Sequence, residues 1–209
     1  MKLIDNILDL VFPRRCHVCG ALTREAFCMD CFKQVKFLAP SAFVHSVAEY
    51  EGALKRAIWR FKFDRKKELA DPLGYLLAKY ANRHLSLKNM HMIVPVPLHE
   101  KRLRQRGYNQ SELLCRQLTK YYNIPTVHRS LYRVRDTMPQ FELNKRERFS
   151  NIRGAFAVNG KEPVKGKNIL LVDDIYTTGM TVSECTSMLK RSGASSVHVL
   201  TLSRAADMV

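Results

Sequence analysis

The chain has 209 residues, 46% of them hydrophobic, which is enough for one well-packed main core and a smaller appendage. Lys and Arg outnumber Asp and Glu by 35 to 19, a net charge of +16 at pH 7 that favours polyanionic partners. The apolar runs fall well short of the roughly 20 residues that cross a bilayer, so a membrane-spanning helix is excluded.

The first segment, MKLIDNILDLVFPRRC, holds a short helix-like apolar run divided by Asp5 and Asp9. No small-residue cleavage site precedes Arg14 and Arg15, so the segment reads as uncleaved and predicts a cytoplasmic protein. CHVC and CMDC then set Cys16, Cys19, Cys28 and Cys31 in two C-x2-C knuckles, and four thiolates at that spacing can surround a tetrahedral ion. A shell closed by four sulfurs has no open position, which predicts a structural site holding Zn2+, with iron as the alternative. Gly20 suits the tight turn that aims backbone N–H groups at the sulfurs. His17 lies between two ligands and reads as a packing or solvent-facing residue. Cys115 and Cys185 sit alone in helix-like segments and read as buried, a usage that suits a reducing compartment.

Leu38-Ala39-Pro40-Ser41 interrupts the chain and predicts two domains, a metal-binding segment over 1–40 and a second domain over 41–209. A β-like run covers 43–50. From Gly52 the spacing of Leu54, Ala57, Ile58 and Phe61 is helical, with Lys55, Arg56, Arg60 and Lys62 on other faces, and a second helical run covers 70–83. Trp59, Phe61 and Phe63 could stack nucleobases, but aromatics at helical spacing are usually core residues, and the core is the expectation. Strand-like runs at 92–96, 126–131, 154–158, 169–172 and 197–202 alternate with helical patterns at 109–122 and 181–192. This alternation predicts an α/β fold with a parallel sheet flanked by helices.

Between the strand at 92–96 and the helix from Asn109, a basic loop gathers His99, Lys101, Arg102, Arg104 and Arg106. Guanidinium forks hold phosphate oxygens, so the loop suits a pyrophosphate or a nucleic-acid backbone equally. Residues 133–151 are polar, charged and without a clear period, as functional loops often are; a basic surface helix with Phe141 and Phe149 turned inward is the alternative.

ILLVDDIYTTGMT, at 169–181, is the most informative stretch. Four apolar residues form a buried strand that delivers Asp173 and Asp174 at its carboxyl end, where open α/β sheets bind ligands. Ionised carboxylates accept hydrogen bonds from a sugar diol and also suit Mg2+. Thr177, Thr178, Gly179 and Thr181 then supply hydroxyls, free N–H groups and close backbone approach at a helix N-terminus, which describes a monophosphate cradle. No Walker A string occurs.

That stretch resembles the signature of type I phosphoribosyltransferases: an apolar strand, two acidic residues, two more residues, Thr-Thr-Gly, one residue and Thr. Together with ILDLVFPRRCHVCG, PVPLHEKRLRQRGYNQ and TMPQFELNKRERFSNIRGAF, it makes nearly the whole chain similar to the ComF (ComFC, GntX-like) family. The resemblance implies a small zinc-ribbon-like segment joined to a type I phosphoribosyltransferase domain. It implies zinc ligands at Cys16, Cys19, Cys28 and Cys31, and phosphoribosyl contacts at Asp173, Asp174, Thr177, Thr178, Gly179 and Thr181. Arg102, Arg104 and Arg106 match the pyrophosphate loop more loosely. Arg133, Thr137, Gln140, Arg146, Arg148 and Asn151 fall where such enzymes carry a lid that closes over the ligand. Met180 stands where these enzymes often have glycine, its side chain turned toward protein or ligand.

The expected function is binding of phosphoribosyl pyrophosphate, with Mg2+, or of a related sugar-phosphate, and of single-stranded DNA during uptake for natural transformation. The expected partner is the helicase of the DNA-import machinery at the inner face of the membrane. The alternative is an active phosphoribosyltransferase that releases pyrophosphate to an unidentified acceptor, although no segment forms an evident hood for one.

Overall fold

A computed structural model of the chain describes residues 13–137, 152–158 and 164–205. The apolar run at 169–172 becomes the middle of β5, Asn168–Tyr176, whose neighbours in the sheet are β6, Ser196–Arg204, and β2, Met92–Pro95. With β1, Val44–Glu49, beyond β6, the described strands form a parallel sheet in the order β1-β6-β5-β2. Ile169 through Val172 are fully buried, as a strand covered on both faces must be.

Alternation along β5 divides the core between the two faces. Leu170 and Val172 pack with α2, Gly52–Phe63, α3, Ala70–His84, and α5, Gln110–Tyr122. Ile169 and Leu171 pack with Val182, Cys185 and Leu189 of α6, Met180–Arg191. Cys115 and Cys185 are both buried as expected. Among the described residues no helix is long and apolar enough to cross a membrane.

Two expected strands take other places. Thr126 reaches the sheet only through a parallel bridge to Ile93, because the polar His128-Arg129-Ser130 turns the chain away. The chain then forms β3, Leu131–Arg133, which pairs antiparallel with β4, Phe156–Val158, in a ribbon separate from the main sheet. The aromatic triplet also divides. Phe61 is buried, whereas Trp59 and Phe63 are 50% and 53% exposed and belong to neither core cluster. The helix offers only one apolar stripe to the sheet, and Leu54, Ala57, Ile58 and Phe61 fill it.

The cysteine segment includes a short helix, α1, Met29–Lys33, and runs beside β1, where Leu38 N–H donates to Val47 and Glu49 N–H to Lys36. Val18, Phe27, Cys31 and Val35 belong to the same buried cluster as α2 and α3.

Candidate functional site

The carboxyl ends of β2 and β5 open into a cleft of about 570 Å³. Asp173 and Asp174 lie at its floor because β5 continues through Tyr176 instead of ending at Val172; its ladder with β6 runs to the Tyr176–Arg204 pair. Asp173 Oδ1 accepts from Ser111 Oγ at 3.0 Å and from the Asp174 N–H at 2.9 Å. Burial, and then the charge of Asp174, push the Asp173 carboxyl up to about 7. Asp174 is 2% exposed. Its Oδ1 pairs with Lys62 Nζ at 2.8 Å, while its buried Oδ2 has no hydrogen-bond partner among the described residues.

The turn that follows is built on Gly179, which has φ +71° and caps the start of α6. Thr177, Gly179 and Thr181 line the cleft, and the buried hydroxyl of Thr178 has no partner among the described residues. Met180 turns toward protein and packs against the core on the α6 side.

The arginines are carried on a short helix, α4, Glu100–Arg106, where a loop is the expectation. His99 Nδ1 caps it by accepting the Lys101 N–H, and Gly107 at φ +82° ends it. Helical phase then sorts the arginines. Arg102 and Arg106, four residues apart, face the cleft, whereas exposed Arg104 pairs with Glu100 at 3.5 Å and does not line it. Arg106 donates to Gln110 Oε1 at 2.5 Å and lies 5.4 Å from the Phe63 ring centre.

Of the lid candidates, Arg133 and Thr137 lie within the described residues, and Gln140, Arg146, Arg148 and Asn151 lie outside them. Thr137 is a clamp. Its carbonyl accepts from Arg102 at 2.6 Å and its hydroxyl from Arg133. Arg133 lines the cleft, and its guanidinium is brought down to about 10, first by burial and then by the neighbouring Arg102 charge.

Lys62, Tyr50 and Ser111 also belong to this site, although the sequence pattern singled out none of them. Lys62 shows in sequence only as a cation on the far side of an amphipathic helix, because its carboxylate partner is distant in the chain.

In the N-terminal segment, the four cysteine sulfurs lie within 4.8 Å of one another. Sγ–Sγ distances are 3.9 Å for Cys16–Cys31 and 3.6 Å for Cys19–Cys28, and the N–H groups of Val18 and Cys28 point at Cys16 Sγ at 3.4 Å. Burial and the neighbouring thiols push Cys31 up, as expected for clustered thiols that want a cation between them. The set fits a structural zinc with a closed shell. His17 is not among the clustered ligands and reaches Glu68 at 3.7 Å.

A family model described as a double zinc ribbon domain matches residues 7–42, and one described as a phosphoribosyl transferase domain matches residues 109–207. DNA utilization protein YhgH of Escherichia coli (strain K12) is 34% identical over 192 residues, 90% of this chain and 83% of its own length. Competence protein F of Haemophilus influenzae is 33% identical over 196 residues, 91% of this chain and 84% of its own. Competence protein ComFC of Bacillus subtilis is 29% identical over 201 residues, 90% of this chain and 77% of its own. A solved structure of glutamine phosphoribosylpyrophosphate amidotransferase from B. subtilis aligns with 63% of this chain and 25% of its own length, at 21% identity and TM-score 0.42. The fold is of the type I phosphoribosyltransferase kind, preceded by a zinc-ribbon segment.

Proposed function

The chain belongs to the family that contains DNA utilization protein YhgH, competence protein F and ComFC, and on that premise we propose that it serves the uptake or use of DNA. In this reading it holds a sugar-phosphate, that of phosphoribosyl pyrophosphate or of single-stranded DNA, at the carboxyl end of β5. The observation that carries it is the Asp174 carboxylate, which is buried, paired with Lys62 through one oxygen and left with the other unpartnered among the described residues, in a cleft lined by threonines and arginines. A carboxylate oxygen is costly to bury without a donor, and a ribose hydroxyl supplies one.

Each group then has a chemical part. Asp173 and Asp174 accept from the ribose hydroxyls. The Thr177–Thr181 turn and the start of α6 hold a phosphate through hydroxyls and N–H groups. Arg102 and Arg106 neutralise the pyrophosphate or the DNA backbone. Asp174 Oδ2 and the Asp173 carboxylate are also the donors that fit Mg2+, which would offset the charge of the pyrophosphate. The net charge of +16 supports a nucleic-acid backbone as a second ligand.

Calorimetric titration of the native chain with phosphoribosyl pyrophosphate and Mg2+ tests the small-ligand half. Binding is expected, and it should vanish in the Asp173→Ala, Asp174→Ala double variant; no heat from the native chain would overturn it. For DNA, affinity for a labelled oligonucleotide should fall steeply as salt rises. Arg102→Ala and Arg106→Ala should weaken it clearly more than Arg104→Ala, and salt-insensitive binding would overturn the electrostatic argument.

A further inference from the structure

We infer that the outward face of α2, centred on Trp59 and Phe63, is a stacking platform for a nucleobase of the single-stranded DNA whose sugar-phosphate lies in the cleft. This inference rests on the reading of the cleft as a sugar-phosphate site. Two neighbouring aromatic rings are half-exposed, 5.5 Å apart between centres and tilted by 46°, while Phe61 between them takes the buried place against Tyr108. Among the described residues, the two core clusters are built without them.

Phe63 belongs to the cleft wall beside Lys62 and Arg106, and the Arg106 guanidinium sits over its ring. Trp59 stands one helical turn farther out, roughly 6 Å along the axis. A strand leaving the cleft along this wall meets Phe63 first and Trp59 next.

The charge around the rings selects the occupant. α2 contains Lys55, Arg56, Arg60 and Lys62 and no carboxylate in its twelve residues. Lys55, Arg56 and Phe63 are exposed three- and four-residue neighbours of Trp59 on the helix surface, whereas Lys62, three residues on, is held by Asp174. Aromatic rings interleaved with cations are the arrangement that binds single strands, the rings taking bases and the cations taking phosphates. An open platform accepts any base, so the expected preference is for single strands over duplexes, with little sequence dependence.

Trp59 is the only tryptophan in the chain, so its emission reports on the platform alone. The test titrates the zinc-loaded full chain with an oligothymidylate and with an abasic oligonucleotide of equal length. Oligothymidylate should quench Trp59 emission and bind roughly 5- to 150-fold more tightly than the abasic strand, the range expected for one stacked base. Trp59→Ala and Phe63→Ala should bring the two affinities together, and Trp59→Phe should restore most of the difference. If neither strand binds, the DNA reading of the cleft fails and the platform with it. If both bind equally and the emission is unchanged, the platform is wrong while the cleft reading survives. If Trp59→Ala leaves the base-dependent difference intact but abolishes self-association seen in the native chain by sedimentation, the face is a protein interface and the inference is overturned.

Discussion

Lys62 and Asp174 approach to 2.8 Å with side chains only 18% and 3% exposed. Removing one partner of such a pair strands the other charge in a low-dielectric setting. Lys62→Met is expected to cost about 3 kcal/mol in chemical denaturation, and adding Asp174→Asn should recover much of that loss. Two additive losses would show that the pair is not coupled. Asp173 obeys a different logic, because burial and the Asp174 charge hold its carboxyl near 7 against the ordinary 3.8. Between those values the folded chain keeps a proton that the unfolded chain has lost. The group's contribution to stability is therefore present below 3.8 and is lost as pH rises through about 7. Asp173→Asn cannot ionise, so its Tm should exceed that of the native chain at pH 8 and by clearly less at pH 4. A difference that does not change with pH would refute this account.

At the scale of elements, the β5–α6 turn depends on one backbone conformation. Gly179 has φ +71°, and a β-carbon there would meet the Tyr176 hydroxyl and lie 2.6 Å from Tyr176 Cζ. The left-handed conformation alone costs a non-glycine residue about 1–2 kcal/mol, and Tyr176, which stacks with Arg204, must also move. Gly179→Ala should thus lower Tm and weaken phosphoribosyl pyrophosphate binding while zinc content stays unchanged. Loss of zinc together with ligand binding would instead mean general misfolding. α4 gives the same lesson in another form. Arg102, Arg104 and Arg106 look equivalent in sequence, but a helix turns Arg104 to solvent and the other two to the cleft.

For the molecule as a whole, the zinc segment and the sheet domain share buried contacts. Cys16, Val18, Phe27, Cys28, Cys31 and Val35 are in one cluster with α2, α3 and Leu200 and Leu202 of β6. Metal binding at four thiolates is then linked to the stability of the larger body. Chelation should release one Zn2+ per chain and lower the temperature of a single calorimetric transition. Two separate transitions, with the upper one unmoved, would show that the segments unfold independently.

Local chemistry was legible in the amino-acid order. The two cysteine knuckles, the apolar run ending in Asp173 and Asp174, and the Thr-Thr-Gly turn each place their reactive groups within a few residues, so spacing alone specifies them. The apolar stripes of α2, α3, α5 and α6 were readable for the same reason, since helical period and burial coincide. What spacing could not carry was contact between distant segments: Lys62 reaching Asp174, Ser111 reaching Asp173, Thr137 clamping Arg102 and Arg133, and residues 154–158 leaving the main sheet for an antiparallel ribbon. Nor could it decide which of Trp59, Phe61 and Phe63 would be buried. A helix packs only one stripe against a sheet, and the packed tertiary structure is what determines where that stripe ends.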